Sequence, residues 1–143
     1  MRTFISLIFS VQLLMAQAGK PTVAILDFEG QGVSDGEVQT LSERMRTEIG
    51  NTNAVRLIER KAVEKIMQEQ GLQQSGCTSD ECAAEVGQLL GVQFMISGSI
   101  GKMGKSYTID CKMFSVETGE TVRSKNATHD GDISGLLTEM QIM

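Results

Sequence analysis

The run Gly76 to Ile100, GCTSDECAAEVGQLLGVQFMISGSI, limits what this chain can fold into more than any other stretch. Thr78 and Glu81 stand at capping-box spacing and predict a helix that starts there, with Asp80 and Glu81 favourably placed in its first turn. Cys82, Val86, Leu89 and Leu90 recur at helical spacing and predict one apolar face. Gly91 is a natural left-handed stop. Val92 to Ile96 follows as a strand too apolar for an open surface. This helix and strand need a sheet to pack on, and the rest of the chain has to supply it.

Upstream, Thr22 to Phe28 is a short continuous apolar run, which suits a central strand buried on both faces. The Gly-containing loop GQGVSDG follows. Ser34 and Glu37 repeat the capping-box spacing, and Val38, Leu41, Met45 and Ile49 mark the inner face of a helix ending near Gly50-Asn51. Val55 to Ile58 reads as a second strand. A second helix runs from about Arg60 to Gln70, with Val63, Ile66 and Met67 inward and Gly71 as its stop. Strand, helix, strand in this order predicts a parallel pair joined by a right-handed crossover.

Downstream, GSIGKMGKS reads as a Gly- and Lys-rich tight turn. Tyr107, Ile109, Cys111 and Met113 alternate with Thr108, Asp110 and Lys112, the pattern of a half-buried strand. Thr121 to Thr128 is a more polar strand, placed near an edge. Ile133, Leu136, Leu137 and Met140 outline a last helix. The expected class is α/β: a single-layer mixed sheet with a parallel βαβ start and an antiparallel meander end, packed by helices.

The amino end reads differently. Arg2, the apolar run Phe4 to Met15 and Ala16-Gln17-Ala18 occur in signal-peptide order, with cleavage expected after Ala18. The run is too short for a bilayer span, which takes about 20 apolar residues. No cysteine follows Ala18, so no lipid attachment site is expected. Residues 19–143 then form one domain, with a carboxyl end that stops inside the last helical pattern. Loss of Arg2 with the signal moves the net charge from −5 to −6. An acidic, well-mixed surface argues against nucleic acid, which needs clustered Lys and Arg.

No catalytic, cofactor or metal site emerges. GKMGKS lacks the first glycine of a phosphate loop, since Ser99 stands at that position, and a strand pattern follows where a helix should begin. Gly30, Gly32 and Gly36 are spaced one residue too long for a dinucleotide fingerprint, leaving a small nucleotide-binding domain as a weaker alternative. Three cysteines and the lone His129 show no metal-ligand spacing. Export into an oxidising compartment and a five-residue separation point to a structural disulfide between Cys77 and Cys82, while Cys111 reads as a core thiol. Ser97 and Ser99 follow a buried strand without a nucleophile elbow, and His129 reads as a loop residue.

The segments VAILDFEGQGVSDGE, LSERMRTEI, VRLIERKAVEKIMQEQG and GCTSDECAAEVGQLLGVQFMISGSIGKMGKSYTIDCKMFSVETGE carry a resemblance. Together they resemble the periplasmic α/β domain of the CsgG-like curli-secretion family, and are similar to penicillin-binding-protein activators of the LpoB type, FlgO and the TolB amino-terminal domain. Glu59-Arg60, Gly91 and Gly98-Ser99 are the most specific matches. All are fold-defining positions. The resemblance implies an exported, non-catalytic periplasmic accessory protein that works by protein–protein contact in envelope assembly or secretion. The alternative it implies is an activator of a cell-wall synthase. Envelope proteins are the expected partners, self-association into a homo-oligomer stays open, and no cofactor is expected. The connector around Gln73 and Gln74 and the edge strand are the expected contact surfaces. Two departures stand out: Gly19 replaces the lipidated cysteine typical of the secretion family, and Val92 to Val116 makes one plain hairpin rather than a long membrane hairpin.

Overall fold

The computed structural model describes residues 19–72, 77 and 79–142. Strand β1 (Thr22–Ile25) lies at the centre of the parallel half, flanked by β3 (Arg56–Leu57) and β4 (Phe94–Met103), both parallel to it. β4 turns through Gly104-Lys105 into β5 (Ser106–Ser115), and β6 (Thr121–Asp130) completes an antiparallel meander. A three-residue strand, β2 (Glu29–Gln31), pairs beside β4 beyond the end of β1. The sheet order is β3-β1-β4-β5-β6, so this is the mixed α/β sheet the sequence predicts.

Four helices cover it: α1 (Asp35–Asn51), α2 (Arg60–Glu69), α3 (Asp80–Leu90) and α4 (Leu136–Ile142). α1 and α4 pack on one face, where Val38, Leu41, Met45, Leu136 and Met140 meet Val23, Ile25, Ile96, Ile100 and Ile109. α2 and α3 pack on the other, where Val63, Met67, Ala83 and Val86 meet Ala24, Leu26, Met95 and Phe114. Successive side chains of a strand point to opposite faces, so one run of apolar residues in β1 feeds both cores.

Local chemistry sets the helix ends. Ser34 and Glu37 form a complete capping box on α1. Both α2 and α3 end in a Schellman motif: Gly71 N–H donates to Gln68 O and Leu72 N–H to Met67 O, while Gly91 and Val92 repeat the pattern onto Gln88 and Gly87. Gly71 and Gly91 hold φ of 67° and 68°, values a side chain would strain.

The structure corrects several sequence expectations. Thr78 lies outside the described residues, and the cap on α3 is Ser79, whose hydroxyl accepts from Cys82 N–H at 3.1 Å. The inner face of α3 is Ala83, Val86, Gly87 and Leu90, while Leu89 is 46 % exposed. The reason is Gly87. An added Cβ there would sit 2.6 Å from Val116 and 2.8 Å from Met95, so the helix lies close on its glycine side and turns Leu89 outward. The expected loop after β1 contains strand β2. The expected turn GSIGKMGKS is mostly strand, because β4 runs on to Met103 and only Gly104-Lys105 turn, with glycine first as a two-residue hairpin favours. His129 is a strand residue of β6, its ring lying over Gly135.

Candidate functional site

The two faces of the sheet are unequal. The α1/α4 face is apolar from β1 out to β5, and on β6 it carries Arg123 and Lys125 beside Ala127. The α2/α3 face is apolar only over β1 and the adjoining ends of β4 and β5. Beyond Met95 and Phe114 the strands place rows of polar residues side by side: Ser97, Lys112 and Ser124; then Glu29, Ser99, Asp110 and Asn126; then Gln31, Gly101, Thr108 and Thr128. Directly opposed residues share a face, so these rows make one polar platform that no described helix covers.

Where the platform meets α3 there is a cleft of about 670 Å³, lined by Asp27, Glu29, Ser97, Ser99, Asp110 and Lys112 among others. The connections explain its position. α1 carries the chain from β1 to β3 over one face, and α2 and α3 carry it from β3 back past β1 to β4 over the other, so the crossovers on the two sides of β1 lie on opposite faces of the sheet. Open α/β sheets form a crevice at such a point. Lys112 is held at its rim by Asp80, 2.5 Å away.

Beneath the cleft lies an ion network that sequence reasoning missed. Asp27 accepts from Arg46 at 2.5 Å and from Arg60 at 2.8 Å. Arg46 also donates to the carbonyl of Ile25 at 3.1 Å, satisfying a backbone acceptor at the end of β1. Glu43 approaches both arginines, and Glu64 pairs with Arg60. The hydrogen bond from Arg60 to Asp27 holds the Arg60 guanidinium above its usual pKa. The Ser42 hydroxyl accepts from Phe28 N–H and donates to Val38 O, which fixes the chain just after β1 to α1. Two signals mark the network in the sequence: an acid inside the apolar run TVAILDF, and an arginine one position after Met45 on the inner face of α1. The Glu59-Arg60 match is part of it through Arg60 alone, since Glu59 makes no side-chain cap.

The cleft serines and the histidine do not come together. Ser97 and Ser99 open onto the cleft, whereas His129, the only histidine, sits at the far end of β6 on the opposite face, across from Tyr107. Nor is the glycine loop a phosphate cradle. A Cβ on Gly30 would lie 2.6 Å from Val38, so that glycine admits the protein's own helix, and the start of α1 is already capped by Ser34 and Glu37.

Cys77 and Cys82 form a disulfide in the structure, their Cα atoms 5.4 Å apart, and the bridge joins the segment before α3 to its first turn. Cys111 is a free thiol on the α1/α4 face, pushed up to about 11 by burial. Gln73 and Gln74 lie outside the described residues, as does the cleavage position at Ala18. β6, the other expected contact surface, is the outer strand of the sheet and is exposed along most of its length.

Several solved structures share this geometry. The LpoB C-terminal domain from Escherichia coli superposes with a TM-score of 0.66 at 15% identity, covering 84% of this chain and 91% of that one. Lipoprotein GNA1162 from Neisseria meningitidis gives 0.68 at 11% identity, covering 84% and 90%. TolB from Acinetobacter baumannii gives 0.53 at 11%, covering 80% of this chain and 24% of TolB. At such identities the likeness establishes the fold and nothing more. No curated protein matches the chain in sequence. The curli-secretion family named first among the resemblances is not the one that matches; the LpoB-type resemblance is. Residues 5–128 fit the model of the peptidoglycan-synthase activator LpoB, and the chain belongs to that family.

Proposed function

We propose that this protein is an exported, non-catalytic activator that binds a peptidoglycan synthase and stimulates it by contact. The match of residues 5–128 to the synthase-activator family carries the reading. The site geometry supports it. The charged groups under the cleft bond one another and the backbone, which is structural work, and the serines of the cleft lie on the face opposite His129. Among the described residues no helix is long and apolar enough to cross a membrane. The working compartment is the periplasm, reached by the signal at residues 1–18 and cleavage after Ala18. The contact surfaces are the connector at Gln73 and Gln74 and the edge strand β6.

The test mixes the purified chain with the bifunctional penicillin-binding protein of the same cell. Co-elution and a several-fold faster polymerisation of lipid-linked precursor are expected. Separate elution with an unchanged rate overturns the reading. Cell fractionation tests export: a shortened chain in the periplasm is expected, and uncleaved protein in the cytoplasm contradicts it.

A further inference from the structure

We infer that β6 takes an extended, acidic segment of the synthase as an added strand of the sheet, an inference that rests on the activator reading and names the contact it uses. An outer strand presents a row of unpaired backbone N–H and C=O groups, and natural edges are blunted by shortness, bulges or charge. β6 is ten residues long. Its register with β5 runs unbroken from Ser106↔Asp130 to Met113↔Arg123, and the one irregularity comes after that, where Phe114 pairs with Thr121 and Val122 is left over. The stretch from Arg123 to Asp130 is therefore a straight, regular edge. Among the described residues nothing pairs with its outer side.

Charge identifies the occupant. The protein as a whole is acidic, with net charge −5. Yet Arg123 and Lys125 stand two apart on one side of β6, both exposed, and neither has an ion pair among the described residues. Lys112 on the neighbouring strand differs, being held by Asp80. Two free cations at alternate positions repel a second β6 laid against them and attract a strand with carboxylates at the same two-residue spacing. Val122, displaced from the ladder and 46 % exposed, offers an apolar contact at the start of the edge. On the other side of the incoming strand lie Ser124, Asn126 and Thr128, which extend the polar platform and suit small polar side chains. Main-chain hydrogen bonds would give such an added strand its hold, and the basic pair its choice of partner.

The test uses the full chain and the periplasmic part of the host's bifunctional penicillin-binding protein. Amide exchange at β6 is measured with and without the synthase, and binding is compared for the wild type, Arg123→Glu/Lys125→Glu and the charge-keeping Arg123→Lys/Lys125→Arg. Protection of β6 amides on binding is expected. The reversed variant should bind about tenfold more weakly, from two attractive cross-strand pairs turned repulsive, with its melting temperature unchanged. The charge-keeping variant should bind like the wild type. If the wild type binds and the reversed variant binds equally, or β6 amides exchange as before, the added-strand inference falls while the activator reading stands. If the wild type neither binds nor stimulates, both fall. Protection of β6 without synthase, with a doubled mass by light scattering, assigns the edge to a second copy and also overturns the inference.

Discussion

The parallel and antiparallel halves of the sheet use the same kind of strand for different ends. β1 is sandwiched between helices, and its residues Val23, Ala24 and Ile25, with Leu26 just after it, are all at most 1 % exposed. β6 is bordered on one side only, and most of its residues are exposed. The first half sets the fold and has little surface to offer a partner. The second half adds little to the core beyond Ile109 and Phe114 and presents a polar platform and a free edge. Burial is concentrated in the inner half of the sheet and exposed polar surface in the outer one, so a lost side chain should cost far more in the first than in the second.

The sharpest way to break this contrast is to remove bulk from each half in turn. Leu26→Ala leaves a cavity between β1 and the α2/α3 layer and should cost about 3 kcal/mol, as buried Leu→Ala changes do. Val122→Ala at the edge should cost well under about 0.5 kcal/mol. Urea unfolding of both variants measures the difference, and similar losses would end the division of labour.

Next in size is the ion network at the boundary of the halves. Arg46→Ala deprives Asp27 of one of its two arginines and the Ile25 carbonyl of its donor, and should cost about 3 kcal/mol or slightly less, since Arg60 remains. Asp27→Asn combined with Arg46→Met removes the charges together and should recover part of the loss. The disulfide follows. Cys77→Ser/Cys82→Ser opens a short loop and should cost about 2 kcal/mol by the chain-entropy argument, read from thermal melts under oxidising and reducing conditions.

How much of this was legible in the sequence depends on whether a residue answers to its neighbours or to distant ones. The capping box of Ser34 and Glu37, the glycine stops at Gly71 and Gly91 and the alternation of β5 are local, and the chain folds as they predict. Helical spacing alone places Leu89 inward, because it cannot weigh that residue against Gly87, whose value lies in how closely Val116 and Met95 approach. Gly98 and Gly101 look like punctuation in the sequence, so the spacing predicts a β4 shorter than the strand observed. In the structure a Cβ on Gly98 would lie 2.4 Å from the Asp110 carbonyl and 3.1 Å from the Phe28 ring, so the glycine keeps the strand going under a crowded core. Arg46 and Arg60 meet Asp27 across 19 and 33 residues, a distance no spacing rule spans.

A smaller effect separates local from tertiary stabilisation. Ser34→Ala removes the hydroxyl that accepts from Glu37 N–H and donates to the Glu37 carboxylate, leaves the Ser34 backbone N–H on that carboxylate, and should cost about 1 kcal/mol. Glu37 has its pKa lowered, first by the side-chain hydrogen bond with Ser34, and Asp132 is lowered by the backbone N–H of Ser134. A lowered carboxylate contributes stability above its unfolded pKa and loses it as pH falls through the folded value. The wild type should therefore weaken as pH drops below 4.5 for Glu37 and 3.8 for Asp132. Ser34→Ala should show a shallower acid slope. Cys111 runs the other way: its contribution is complete below 9.0 and fades as pH rises towards about 11.

The smallest expected change is the most telling for function. Ser124→Ala and Asn126→Ala alter side chains exposed on the platform, with no bond to another part of the protein among those described, and should move stability by less than about 0.5 kcal/mol. Their amides should nevertheless separate the two halves in native-state hydrogen exchange. Those of Ala24 and Ile25 should exchange only through global unfolding, and those of β6 through local opening at much lower free energy. A β6 that exchanged as slowly as β1 in the isolated protein would mean that the edge is already held, and a strand already held has no backbone groups left to lend to a synthase.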